Sequence, residues 1–131
     1  MELLEKYIEE LTDDTTFDDF TMKDTQMKLP AIKHKWVGRL IRHKGSVNQL
    51  KSDKQKLVTE LAVKLKSSSP YKISDISAEK ACYKHEEVVK ISNQIKEHEL
   101  IIELLEKTER VLNSMTYDIK NLTEIMKLET L

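Results

Sequence analysis

The chain has 131 residues, 39% hydrophobic and 34% charged, with two glycines, two prolines and a net charge of −1. Such a length fits one folding unit, and a chain so rich in charge and so poor in turn residues favours long, solvated helices over a compact mixed fold. A single cysteine, Cys82, excludes an internal disulfide framework and fits a reducing compartment; the acidic N-terminus is unlike a secretory signal, and no apolar run approaches the roughly 18 residues of a membrane span.

The near-neutral total conceals segregation. Residues 1–25 hold two Lys or Arg against nine Asp or Glu, residues 26–72 hold twelve against two, and residues 73–131 hold eight against twelve. A basic stretch between acidic ends is the footprint of a polyanion-binding surface or of a helix that pairs with its own ends.

Residues 2–11 carry Leu3, Leu4, Tyr7, Ile8 and Leu11 at helical spacing, which predicts a short amphipathic helix stopped by Thr12-Asp13-Asp14-Thr15-Thr16. Residues 17–29 show no sustained period and read as an extended connector. Pro30 suits the first turn of a second helix running to about Lys66, before the Ser67-Ser68-Ser69-Pro70 breaker. Its apolar seam steps through Trp36, Leu40, Val47, Leu50, Leu57 and Leu61, interrupted by His43, Lys54 and Lys64, and Gly38 and Gly45 mark places for a bend or a close neighbour. A loop over 67–76 follows, with Ser74 or Ser77 as a helix cap.

The third segment, about 78–128, contains no glycine or proline and is expected to be one helix. From Leu100 onward it carries two adjacent apolar stripes: Ile101, Leu104, Val111, Met115, Leu122 and Ile125 beside Ile102, Leu105, Leu112, Ile119 and Met126. A helix apolar on two sides needs more cover than one hairpin partner supplies, so self-association is expected, with a monomeric three-helix bundle as the alternative. Ile101, Leu104, Leu105, Val111, Leu112, Met115, Ile119, Leu122, Ile125 and Met126 are the candidate oligomerisation residues. The whole reads as one all-α domain over 1–131, divided into 1–29, 30–76 and 77–131.

The candidate polyanion contacts are Lys35, Arg39, Arg42, Lys51, Lys54, Lys56, Lys64 and Lys66. Lysine outnumbers arginine ten to two over residues 26–72, and lysine meets phosphate as a point charge, so binding without sequence preference is implied. Tyr71 stands in the loop just beyond Lys64 and Lys66, where base stacking is open to it. Trp36 falls on the seam and reads as a core anchor; Tyr7, Tyr83 and Tyr117 read as packing residues with wet hydroxyls. His34, His43, His85 and His98 lack metal-ligand spacing and read as solvated, and no phosphate loop, nucleophile elbow or paired-carboxylate site is present. Neither enzyme chemistry nor a cofactor is expected.

Pro30-Ala31-Ile32-Lys33-His34-Lys35-Trp36, Glu86-Glu87-Val88-Val89-Lys90, Leu104-Leu105-Glu106-Lys107 and Tyr117-Asp118-Ile119-Lys120-Asn121, in this order and spacing, resemble the UvsY recombination mediator family of T-even-type phages. The resemblance implies an all-helical protein assembled through its C-terminal helices into a ring, hexamer or heptamer. It also implies non-specific single-stranded DNA binding, displacement of the single-strand-binding protein and loading of a RecA-like recombinase, in the cytoplasm of the infected bacterial host. Lys64-Leu65-Lys66 matches the family's DNA-binding K-x-R pattern, with lysine in place of the arginine. Two other classes compete with this reading: a helical adaptor that binds no DNA, and a small nucleoid-type protein preferring duplex DNA.

Overall fold

The computed structural model describes residues 1–130. It contains four helices, α1 (Glu2–Thr15), α2 (Met22–Ser68), α3 (Asp75–Cys82) and α4 (Glu86–Glu129), and the all-α expectation holds. None of the helices is long and apolar enough to cross a membrane among the described residues. The chain gathers into two compact units, Met1–Arg42 with Ile101–Leu131, and His43–Leu100, so α2 and α4 each contribute one end to either unit.

In the first unit the seam of α2 (Leu29, Trp36, Leu40) meets the seam of α4 (Ile101, Leu105, Leu112, Met115), and Leu4, Tyr7 and Leu11 of α1 close over it. The intervals of three, four and seven are those of helices packing side by side. Trp36 is its largest fully buried side chain. The indole N–H donates to Asp14 Oδ2 at 2.8 Å, and the Tyr7 ring stands edge-on to it at 5.4 Å and 89°.

Charge holds α1 down as well. Its last turn contains no basic residue, and acidic side chains at a helix C-terminus are disfavoured by the helix dipole. A helix of 14 residues is in any case marginal alone. Docking on α2 supplies the missing cations: Lys35 Nζ lies 2.6 Å from Asp14 and 3.3 Å from Glu10, and the Arg39 guanidinium grips both oxygens of Glu10. The Arg39 guanidinium also lies 4.6 Å from the Trp36 ring and 5.0 Å from that of Tyr7. Hydrogen bonding from Arg39 holds the Glu10 carboxyl below the ordinary carboxylate range, with burial working against it.

Several boundaries differ from the sequence expectation: α1 runs on to Thr15 through the stretch expected to stop it, and α3 begins at Asp75 inside the expected loop. Residues 22–29 are helical rather than extended, because Asp18 caps the chain early. Its Oδ1 accepts the N–H groups of Phe20 and Thr21, while Thr21 Oγ1 accepts the Asp18 N–H in return, a reciprocal capping box. The extra turns bury Met22 and Leu29. Pro30 therefore sits inside α2, where its missing N–H removes the usual bond to the Gln26 carbonyl on a face where both residues are exposed.

The expected helix over 78–128 is instead broken at Tyr83-Lys84-His85. Ser74 caps α3 through the Ser77 N–H, and His85 Nδ1 accepts the Glu87 N–H at the start of α4. In an unbroken helix Cys82 and Val88, six residues apart, would face directions about 120° apart. The break turns both onto Val58, forming the core of the second unit with Leu57, Leu61 and Ala62 around it. Tyr83, Lys84 and His85 keep their N–H groups bonded to the carbonyls of Glu79, Ala81 and Cys82, so the interruption costs little hydrogen bonding.

Neither glycine of α2 admits a close neighbour. A Cβ at Gly38 would meet only the Arg42 side chain at 3.5 Å, and one at Gly45 meets nothing within 4 Å. Gly45→Ala is thus expected to stabilise the fold by about 0.5–1 kcal/mol through helix propensity alone, read as a higher midpoint in urea. The Glu10 pair makes a pH-dependent contribution of up to about 1 kcal/mol, since it is screened by solvent. Because the folded-state value of Glu10 is depressed, that contribution is full above about pH 4.3 and is lost as pH falls through the depressed value. Thermal midpoints of wild type and Glu10→Gln should differ at pH 7, and the difference should shrink as pH falls through that depressed value.

Candidate nucleic-acid interface

The basic residues of α2 divide by what they touch. In the first unit Lys35 and Arg39 are half-buried and held by Glu10 and Asp14. Self-neutralisation, one of the two meanings of the basic stretch, is realised at these two positions. Lys33 donates to Thr116 Oγ1 at 3.2 Å. Arg42 is exposed and makes no ion pair among the described residues.

In the second unit Leu57, Val58 and Leu61 mark the core-facing side of α2. Lys56 points away from that side and is exposed. Lys64 and Lys66 flank the half-buried Leu65; two residues apart on a helix, they lie about 200° apart around its axis. One straight strand lying on α2 meets one of them at a time. Lys64 makes no ion pair among the described residues, whereas Lys66 pairs with Asp75 at the start of α3. Tyr71, in the loop between them and α3, is 81% exposed.

Lys51 and Lys54 open onto a cleft of about 440 Å³ that Gln55 of α2, Tyr83 of the α3–α4 turn, and Ser92, Ile95, Lys96 and Glu99 of α4 complete. Lys51 lies 3.7 Å from Glu99, and Lys54 Nζ sits 5.4 Å from the centre of the Tyr83 ring. Gln55, Tyr83, Ser92 and Lys96 were outside the sequence-derived set. The only sequence signal for Lys96 is its position in the sparsely apolar start of α4, and Tyr83 reaches the cleft because of a helix break that no proline or glycine announces.

The histidines depart from expectation at one place. His43 is buried rather than solvated, and its Nδ1 lies 2.9 Å from Nδ1 of His98, so one ring donates to the other across α2 and α4. Among the described residues no group of three or more His, Cys, Asp or Glu could hold a metal ion.

The ten candidate oligomerisation residues separate into two sets. Ile101, Leu105, Leu112, Met115 and Ile119 are buried by the chain's own helices. Leu104 is half-buried, and Val111, Leu122, Ile125 and Met126 remain exposed. Two shallow grooves run beside the second set. One is lined by Ile8, Leu11, Leu104 and Val111, the other by Phe17, Met22, Leu122, Ile125 and Met126. The buried set is drawn from both stripes, with Ile101 and Met115 from one and Leu105, Leu112 and Ile119 from the other, and the remaining five stay partly or wholly uncovered by the chain's own helices.

No protein-family model and no curated protein sequence matches the chain. Among solved structures it is similar to two crystal forms of the recombination mediator protein UvsY of bacteriophage T4. One gives a TM-score of 0.82 at 13% identity over 96% of this chain and 98% of that one. The other gives 0.80 at 15% identity over 98% of each. Such identity carries no side chain across, but the backbone agrees from end to end: the chain has the all-helical fold of the UvsY recombination mediator.

Proposed function

We propose that this chain is a recombination mediator. It binds single-stranded DNA without sequence preference through the exposed lysines of α2, assembles into a hexameric or heptameric ring through the uncovered apolar residues of α4, and helps a RecA-like recombinase replace the single-strand-binding protein. The observation that carries the reading is the full-length agreement with the UvsY fold at a TM-score of 0.82, joined to a helix whose Arg42, Lys56 and Lys64 are exposed and make no ion pair among the described residues. Work in the cytoplasm of an infected bacterial host follows from the same reading.

The mechanism is physical rather than chemical. Each exposed lysine displaces counterions from phosphate, a contact weak by itself and steeply salt-dependent. Repetition around a ring raises the effective concentration of the remaining sites once one is occupied, so a strand is held across several subunits. The strand so held is withdrawn from the single-strand-binding protein and presented to the recombinase. Lys35 and Arg39 take a different part, since engaging phosphate there requires competing with Glu10 and Asp14.

Replacing Lys64 and Lys66 together by Ala should weaken oligo(dT) binding and lower the salt dependence by about 0.7 log–log units per lost contact. Unchanged affinity and slope in a titration from 50 to 300 mM salt would move the contact elsewhere. Duplex preference in the same titration would favour the nucleoid-type reading, and no binding at all the adaptor. For assembly, Val111→Asp or Ile125→Asp should leave the helical circular dichroism intact while shifting sedimentation from oligomer to monomer, because both side chains are about half exposed. Leu112→Asp, by contrast, should unfold the first unit, since Leu112 is buried.

A further inference from the structure

We infer that the cleft beside Tyr83 is a nucleotide subsite, taking one phosphate and one base of a single strand. This rests on the single-stranded DNA reading above but assigns a contact that the Lys64-Leu65-Lys66 motif does not supply. Three lysines, Lys51, Lys54 and Lys96, converge from two helices on a space of about 440 Å³, within the range of small-ligand clefts. A single carboxylate, Glu99, opposes them. Its pairing with Lys51 is long at 3.7 Å, with both side chains more than half exposed, so it competes only weakly with an entering phosphate.

Charge alone would describe any basic surface; the aromatic ring distinguishes this one. Tyr83 is 46% exposed, although it follows directly on the buried Cys82. The break between α3 and α4 anchors Cys82 in the core and leaves the next side chain beside Lys54, whose ammonium lies 5.4 Å from the ring centre. A flat π-surface rimmed by lysines is the arrangement by which single strands are held without sequence preference, the base stacking while the phosphate is neutralised. Buried Ile95 supplies an apolar wall. Gln55 and Ser92 add polar groups at the edge; the Ser92 hydroxyl donates to the Val88 carbonyl at 2.9 Å and keeps its oxygen free to accept. When a phosphate enters, Lys54 turns from the ring to the anion and frees the ring face for the base.

The test compares the full-length protein with Tyr83→Phe, Tyr83→Ala and Lys96→Gln in fluorescence-anisotropy titrations of oligo(dT) and of an abasic oligonucleotide of equal length. Tyr83→Phe should bind oligo(dT) like wild type. Tyr83→Ala should lose about tenfold in affinity for oligo(dT), with an unchanged salt slope and unchanged binding of the abasic strand. Lys96→Gln should lower the salt slope by about 0.7 on both strands. Equal oligo(dT) affinity of Tyr83→Ala and wild type, with matching thermal midpoints, overturns the subsite while leaving the mediator reading in place. A loss equal on both strands overturns it also, because it reports charge or folding and no stacking. Displacement of oligo(dT) by millimolar ATP in wild type but not in Tyr83→Ala reassigns the cleft to a free nucleotide and overturns its role on the strand. Failure of the wild type to bind either strand sinks both readings together.

Discussion

The burial of Trp36 is the constraint on which the first unit depends. Its ring is nearly inaccessible between α2 and α4, and a buried indole N–H needs an acceptor. Asp14 of α1 provides it. The same carboxylate pairs with Lys35, one residue before Trp36, and Glu10 one turn earlier engages Arg39, one turn after Lys35. Aromatic burial, hydrogen bond and ion pairs therefore act through one surface, and each makes the others worth more by excluding water from it. The acidic α1 is thereby committed to the fold, and the basic character of α2 passes to lysines farther along.

On the proposed function, that division lets one helix serve both packing and recognition. Along α2 the seam residues face inward, and lysines occupy its edges and back. Those near α1 are neutralised, whereas Lys56 and Lys64 remain exposed and free of ion pairs among the described residues. α4 makes a parallel division among apolar residues, with Leu105, Leu112 and Ile119 consumed internally and Val111, Leu122 and Ile125 left outside. The proposed mediator uses the two leftovers: exposed charge for the strand and exposed apolar surface for assembly. A protein that needs many weak contacts acting together is well served by keeping both on rigid helices.

Much of this was legible in the order of residues. Helix class follows from the scarcity of glycine and proline and from the repeating seam, and the segregated charge follows from counting. A serine cap at Ser74 or Ser77 was readable from chemistry alone, and the fold selects Ser74. The start of α2 was not, because the Asp18 and Thr21 box precedes only two buried residues, Met22 and Leu29, too few to display a period. The break at Tyr83 was hidden for a related reason: its cause is the shared burial of Cys82 and Val88 against Val58, a contact between residues distant in the chain.

The sequence by itself determined the helical class, the basic stretch and the excess of apolar surface on α4, since each depends on composition and on local periodicity. Only the tertiary structure decided which lysines are neutralised, which apolar residues of the two stripes are buried, and that Tyr83 stands at the mouth of a lysine-lined cleft. Those outcomes depend on which faces meet, and a helix pattern read along one chain is silent about the partner that each face acquires.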